Sequence, residues 1–293
     1  MSKLIFFYYN KLRKETWFFL ILPILVILSI FFFYPMFTVF KTSVYKYVFP
    51  NIVEKLTLAN YSRFLLDIFY LSKVLLPTFK LSILATLTAL IIGYPFAYFL
   101  SKMKNPNIRR LLFTSIILVL WVNEVIRILG WMIILSDNGI VNSFLMKIGF
   151  IRTSVHFMYN ELSVFIALVQ ISIPYIVISL LGVFNYIDPS LGEAAKTLGA
   201  NRFITFLKIT IPLSIPGILA GTLIVFALNV NAFCIPLLMG GNRVSMIGVE
   251  IYKYSMEVNN LPFASAMSVI LLLIILLIFY FYTSLLNKLY KDY

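Results

Sequence analysis

The chain of 293 residues is 61% hydrophobic, only 12% charged, and has a formal net charge of +13. A soluble domain carries about 25% charged residues, so this composition excludes an ordinary globular protein and indicates helices that share their core with lipid. The excess of Lys and Arg is the bias of cytoplasmic loops and not a nucleic-acid footprint, because no interleaved basic and aromatic motif of a DNA- or RNA-binding module accompanies it.

Six stretches have the roughly 20 apolar residues that a membrane-spanning helix needs. In chain order they are Trp17 to Phe40, Leu75 to Leu100, Arg110 to Leu135, Leu162 to Phe184, Ile209 to Leu238 and Phe263 to Leu286. Lys3, Lys11, Arg13 and Lys14 precede the first. That basic start resembles a signal peptide, but the apolar run is too long and lacks an A-x-A site, so it reads as a retained first span. The expectation is an all-α polytopic membrane protein: an N-terminal arm over 1–16, one six-helix domain over 17–287, and a tail over 288–293. No strands of a membrane barrel are expected.

Loop charges set the direction. Lys102, Lys104, Arg109 and Arg110 follow the second span, Lys196, Arg202 and Lys208 follow the fourth, and Lys288 and Lys291 end the chain. With the basic start, these segments place both termini in the cytoplasm. Lys80 is expected to extend its amine to the headgroups.

Inside the third predicted span, "WVNEVIRILGW" places Asn123 and Glu124 about 20 Å along a continuous helix. Glu124 and Arg127 are spaced i,i+3 and can pair. Two readings stand: the two line a solute path, with Glu124 offered to a cationic amine, or they neutralise each other and hold helices together. Gln170, Asn229 and Asn231 are further path candidates, with interhelical hydrogen bonding as the alternative. Pro174 and Pro236 are expected to kink or end helices. Cys234 and His156 are the single residues of their kinds. They exclude an internal disulfide, and with G-x-S-x-G and H-E-x-x-H both missing they argue against a zinc site or an intramembrane hydrolase.

Residues 192–217 read "GEAAKTLGANRFITFLKITIPLSIPG". Asp188 and Pro189 suit a helix start, Gly199 suits a backbone turn with positive φ, and Asn201 can cap a second short helix, with Pro212 and Pro216 marking entry to the fifth span. Such a knob can dock in a groove of a soluble protein, or lie on the headgroups as an amphipathic loop.

The spacing Glu193-Ala194-Ala195, Gly199, then Ile209-Thr210-Ile211-Pro212 resembles the EAA loop of binding-protein-dependent ABC importer permeases, with Ile211 in place of Leu. "TLANYSRFL", "GYPFAYFLSK", "GIVNSFLMKIG" and "LPFASAMSVILLL" resemble segments of spermidine/putrescine permeases, the B-type inner-membrane subunit more than the C-type. The resemblance implies a type I importer permease (MetI-like) fold in a bacterial inner membrane. Its coupling loop spans 186–211, with Glu193, Ala194, Ala195, Gly199, Ala200, Ile209 and Pro212 at the ATPase interface. The implied partners are an ABC ATPase dimer, a second homologous permease in a heterodimer, an extracytoplasmic solute-binding protein, and membrane lipid. ATP and Mg would bind the ATPase, since G-x-x-x-x-G-K-[ST] is missing here. Polyamine is the implied cargo. An aminophosphonate, an opine or an iron chelate, or an ATPase-independent secondary transporter, are the alternatives.

Overall fold

In the computed structural model, which describes the backbone of residues 2–291 and the side chains of residues 21–284 other than Asn242, apolar helices dominate. The physical reason is that backbone groups in lipid must satisfy one another within a segment. α1 (Ser2–Ser43) is continuous, so the expected arm and first span are one helix. Polar side chains fix its end: Asn60 Nδ2 donates to the carbonyls of Ser43 and Tyr45 at 3.0 and 2.9 Å, and Ser43 Oγ lies 2.7 Å from Tyr61 Oη. β1 (Tyr45–Val48) then pairs antiparallel with β2 (Asn51–Leu56), with Val48 opposite Asn51. The all-α expectation omits this hairpin, although Tyr-Lys-Tyr-Val and Ile52-Val53 are strand-forming residues.

α2 (Ala59–Leu66) and a π turn at Tyr70–Leu75 lead into α3 (Leu76–Lys102). The single helix expected over 110–135 is instead α4 (Pro106–Trp121) and α5 (Glu124–Leu135). The break is decided locally. The Asn123 side chain accepts from Val125 N–H at 2.8 Å, and Glu124 enters the first turn of α5, where the helix dipole favours a carboxylate. The third apolar stretch of membrane-crossing length is accordingly Glu124–Lys147, made of α5, a turn and α6 (Ile140–Lys147).

α7 (Glu161–Phe184) passes through Pro174 without ending. α8 (Pro189–Thr197) and α9 (Arg202–Thr205) follow, and α9 runs on through a π turn at Phe206–Thr210 into α10 (Ile211–Val230). The fifth span therefore stops at Val230 and not at Leu238. Asn231 to Phe233 separate it from the six-residue α11 (Cys234–Met239), which contains Pro236 instead of ending there. α12 (Ile247–Tyr252) and α13 (Leu261–Lys291) complete the chain.

α7 is the hub. Of its most apolar window 56% is buried, against 0% for α1, which lies at the edge against α13. α3, α7 and α10 pack on one another at glycines. An added Cβ at Gly93 would fall 2.9 Å from Ile176 Cγ2, at Gly217 2.9 Å from Val183 Cγ2, and at Gly221 3.1 Å from Ser179 Cβ. Gly217-x-x-x-Gly221 is the small-residue spacing that lets membrane helices approach closely. It is legible in the sequence, and the expectations above omit it. Lys80 Nζ donates to Glu161 Oε2 at 2.6 Å and joins α3 to the start of α7.

Candidate functional site

The polar block forms a bent corner. Asp188 caps α8 by accepting from Ser190 N–H at 2.8 Å, and that bond holds its carboxyl below the usual carboxylate range. α8 ends in a backbone motif with two reversed bonds: Ala200 N–H to Ala195 O at 2.9 Å and Gly199 N–H to Lys196 O at 3.0 Å. This motif needs a left-handed residue, and Gly199 supplies it at φ +82°. Asn201 then caps α9, its Oδ1 accepting from Ile204 N–H at 2.8 Å. Asp188 thus fixes the start of α8, and the Gly199 motif with the Asn201 cap fixes the angle between α8 and α9.

The surface of this corner is apolar where it projects. Leu198 is 88% exposed at its tip, and Leu191, Phe203 and Leu207 are exposed around it. Glu193, Ala194 and Gly199 are exposed, Ala200, Ile209 and Pro212 are half-buried, and Ala195 is only 8% exposed. Ala195 is therefore a packing residue of the corner in this chain.

The corner is joined firmly to the bundle. Because α9 continues into α10, the second short helix is the cytoplasmic end of the fifth span and not a separate element. Phe206, just past the corner, packs edge-on against Tyr94 and Tyr98 of α3 at 5.8 and 5.2 Å between ring centres. Both tyrosines also meet Phe184 of α7, at 5.5 and 5.9 Å, and Tyr94 Oη lies 2.8 Å from Ser214 Oγ of α10. Aromatic pairs of this geometry contribute about 0.5–1.5 kcal/mol each beyond area burial. The foot of the corner is thereby packed against α3 and α7 and continuous with α10. Sequence reasoning missed this cluster. Its one local signal is the i,i+4 spacing of Tyr94 and Tyr98.

The intramembrane candidates separate into different roles. Asn229 is 1% exposed and closes a polar triad among α3, α7 and α10. Ser172 donates its proton to Leu168 O at 2.6 Å and accepts from Asn229 Nδ2 at 3.1 Å, with Thr86 Oγ1 3.4 Å from the same nitrogen. That is the interhelical role. Asn231 is exposed, bonds its own helix at Ala227 O (2.8 Å), and lines a cavity of about 580 Å³ with Phe233, Tyr252, Ser255 and Ser268. The Phe233 and Tyr252 rings there stack at 5.7 Å. Gln170 is half-buried in α7 with no hydrogen-bond partner among the described residues.

Asn123 and Glu124 sit at the break between α4 and α5, both exposed. Glu124 and Arg127 do not pair: the ion pairs among the described residues are Lys80–Glu161 and Asp137–His156. The reason is the break itself, which makes Glu124 the first residue of its helix and leaves its side chain in the open. Arg127 is half-buried, and its Nε and Nη1 are enclosed without an acceptor among the described residues. No group of three His, Cys, Asp or Glu capable of holding a metal occurs among the described residues.

Residues 89–291 match the family described as binding-protein-dependent transport system inner membrane component. The chain is similar to the spermidine/putrescine transport system permease protein PotB of Escherichia coli (strain K12), 39% identical over 235 residues that cover 79% of this chain and 84% of that protein. It is similar to the protein of the same name from Haemophilus influenzae, 34% identical over 268 residues and 89% of each chain. Among solved structures, a chain of a bacterial alginate ABC transporter crystallised with an alginate pentasaccharide-bound periplasmic protein superposes with a TM-score of 0.79 over 96% of both chains. That likeness, at 19% identity, concerns the fold alone.

Proposed function

The chain belongs to the binding-protein-dependent transport system inner membrane component family, and on that premise we propose that it passes spermidine- and putrescine-like polyamines across a bacterial inner membrane as one permease subunit of an ATP-driven importer. Both termini face the cytoplasm. The pore is completed by a second, homologous permease, and an extracytoplasmic binding protein delivers the cargo. A separate ABC ATPase dimer holds ATP and Mg and docks on the corner between α8 and α9.

The observation that carries this reading is that corner: an exposed apolar tip at Leu198, set at a fixed angle by Gly199 and Asn201, and continuous with α10. ATP binding closes the ATPase dimer, the seated corner moves, and Phe206 carries the motion into α3 and α7 through Tyr94, Tyr98 and Phe184. The residues at the docking surface are Glu193, Ala194, Gly199 and Leu198, with Ala195, Ala200, Ile209 and Pro212 shaping it from behind.

Along the solute path, Glu124 is exposed, opens α5 just after the break from α4, and forms no ion pair among the described residues. It is offered to a protonated amine. At roughly 4 Å and an effective dielectric of 20, such a pair gains about 4 kcal/mol before desolvation. Asn231, with the Phe233 and Tyr252 rings, provides a second, uncharged station suited to an organic cation.

The test is a photo-crosslinker at Leu198 in the assembled transporter. Capture of a nucleotide-hydrolysing subunit, weakened when the ATPase dimer is released, is expected. Uptake that continues while position 198 never contacts such a subunit overturns the proposal.

A further inference from the structure

At the turn between α3 and α4 lies an open cleft of about 360 Å³. Its lining combines three cations, Lys104, Arg109 and Arg110, with an apolar wall that includes Leu100, Phe113 and Leu181. The cavity adjoins the foot of the coupling corner, because Arg109 Nη2 donates to Asn185 Oδ1 at 2.7 Å and Asn185 closes α7 just before Asp188.

Three cations line this space, and none of them forms an ion pair among the described residues. The ion pairs among the described residues, Lys80–Glu161 and Asp137–His156, lie elsewhere. Arg109 is held by a neutral amide, which orients the guanidinium and leaves its charge unmet. α4, a helix of 16 residues, starts at the same turn and adds the positive end of its dipole, its first N–H groups already capped by Asn105 Oδ1 at 3.0 and 3.3 Å. Like charges brought near one another repel, and an anion between them relieves that repulsion.

The apolar wall decides which anion. A free phosphate would use the guanidinium groups and leave Phe113 and Leu181 facing water. An amphiphile uses both walls, with its phosphate on the cations and its chain on the ring and the leucine. The turn directly follows Lys102, where the second apolar stretch of membrane-crossing length ends, and such an end lies at headgroup level. We propose that this cavity binds the phosphate headgroup of an anionic phospholipid, with Arg109 and Arg110 as its principal ligands and Phe113 against its acyl chain.

The experiment uses the whole transporter, purified with its partner subunits, and reads bound lipid by native mass spectrometry after equilibration with phosphatidylglycerol and phosphatidylcholine. The intact protein is expected to retain phosphatidylglycerol preferentially. Arg109→Gln with Arg110→Gln should lower that preference by about fivefold for each charge removed. Lys147→Gln with Arg152→Gln, which removes two charges elsewhere, should leave it unchanged. Arg109→Lys with Arg110→Lys should retain most of it and serves as the readout if the Gln variant fails to assemble. The proposal is overturned if the intact protein shows no preference, or if both Gln pairs lose it equally. Displacement of the lipid by millimolar inorganic phosphate makes this a soluble-anion site, and crosslinking of position 110 to the ATPase makes it a protein surface; either result also overturns it.

Discussion

Replacing Gly199 isolates the backbone geometry of the coupling corner from its contacts. Gly199 has φ +82°, and a Cβ added there meets nothing within 4 Å among the described residues. The effect of substitution is therefore conformational and not steric. An L-residue held in the left-handed region loses about 1–2 kcal/mol, which reduces the population of the bent corner by roughly 5- to 30-fold. Asn tolerates this region several times better than other residues, whereas a β-branched residue is a true outlier there. The expected order of coupled activity is Gly199, then Asn close behind, then Ala, then Val. The global unfolding temperature should hardly move, because the corner is exposed and its misfolding is local. The assay is ATPase activity stimulated by the cargo-loaded binding protein, measured on reconstituted transporter beside polyamine uptake. If Asn is as damaging as Val, or Ala is indistinguishable from Gly, left-handed geometry is not what position 199 supplies.

Four further outcomes follow from the geometry. Asn229→Leu removes the link to Ser172 and Thr86 but orphans neither hydroxyl, since Ser172 bonds Leu168 O and Thr86 bonds Ser82 O; a loss of about 0.6–1.7 kcal/mol is expected in detergent unfolding. Gly93→Val forces a contact at 2.9 Å from Ile176 and should cost about 1–3 kcal/mol, while Gly182→Ala, with nothing within 4 Å, should be neutral or stabilising by the same measurement. Glu124→Gln should slow polyamine uptake without changing the unfolding temperature, and unchanged uptake kinetics would remove Glu124 from the path. Asp188 is depressed by the Ser190 N–H, so the stability of its cap is fully present above pH 3.8 and is lost only as pH falls through the lower folded value. Coupling in wild type should therefore be insensitive to this group at neutral pH, whereas Asp188→Ala should impair coupling at every pH, read by the same stimulated-ATPase assay.

Much of the candidate site was legible because it is local. The Asp188 and Asn201 caps and the Gly199 turn each involve residues within a few positions of one another, and residue type alone specifies them. The break at Asn123 belongs to the same class: Asn followed by Glu is a helix start, and the apolar run around it concealed the signal. Relations between helices were not legible. Arg109 finds Asn185, Lys80 finds Glu161, and Asn229 finds Thr86 and Ser172 across long stretches of sequence.

Sequence by itself determined that this chain crosses a membrane about six times and carries a bent, capped corner at one edge. Hydropathy and capping act over a few residues, so they survive reading in one dimension. Only the tertiary structure decided which faces of those helices meet. Lipid is as apolar as a protein core, so a spanning helix is greasy all round, and its pattern carries little record of its own rotation. That rotation is set by packing at Gly93, Gly217 and Gly221 and by a few buried polar groups. It puts Asn229 inside the bundle, and the break between α4 and α5 leaves Glu124 in the open.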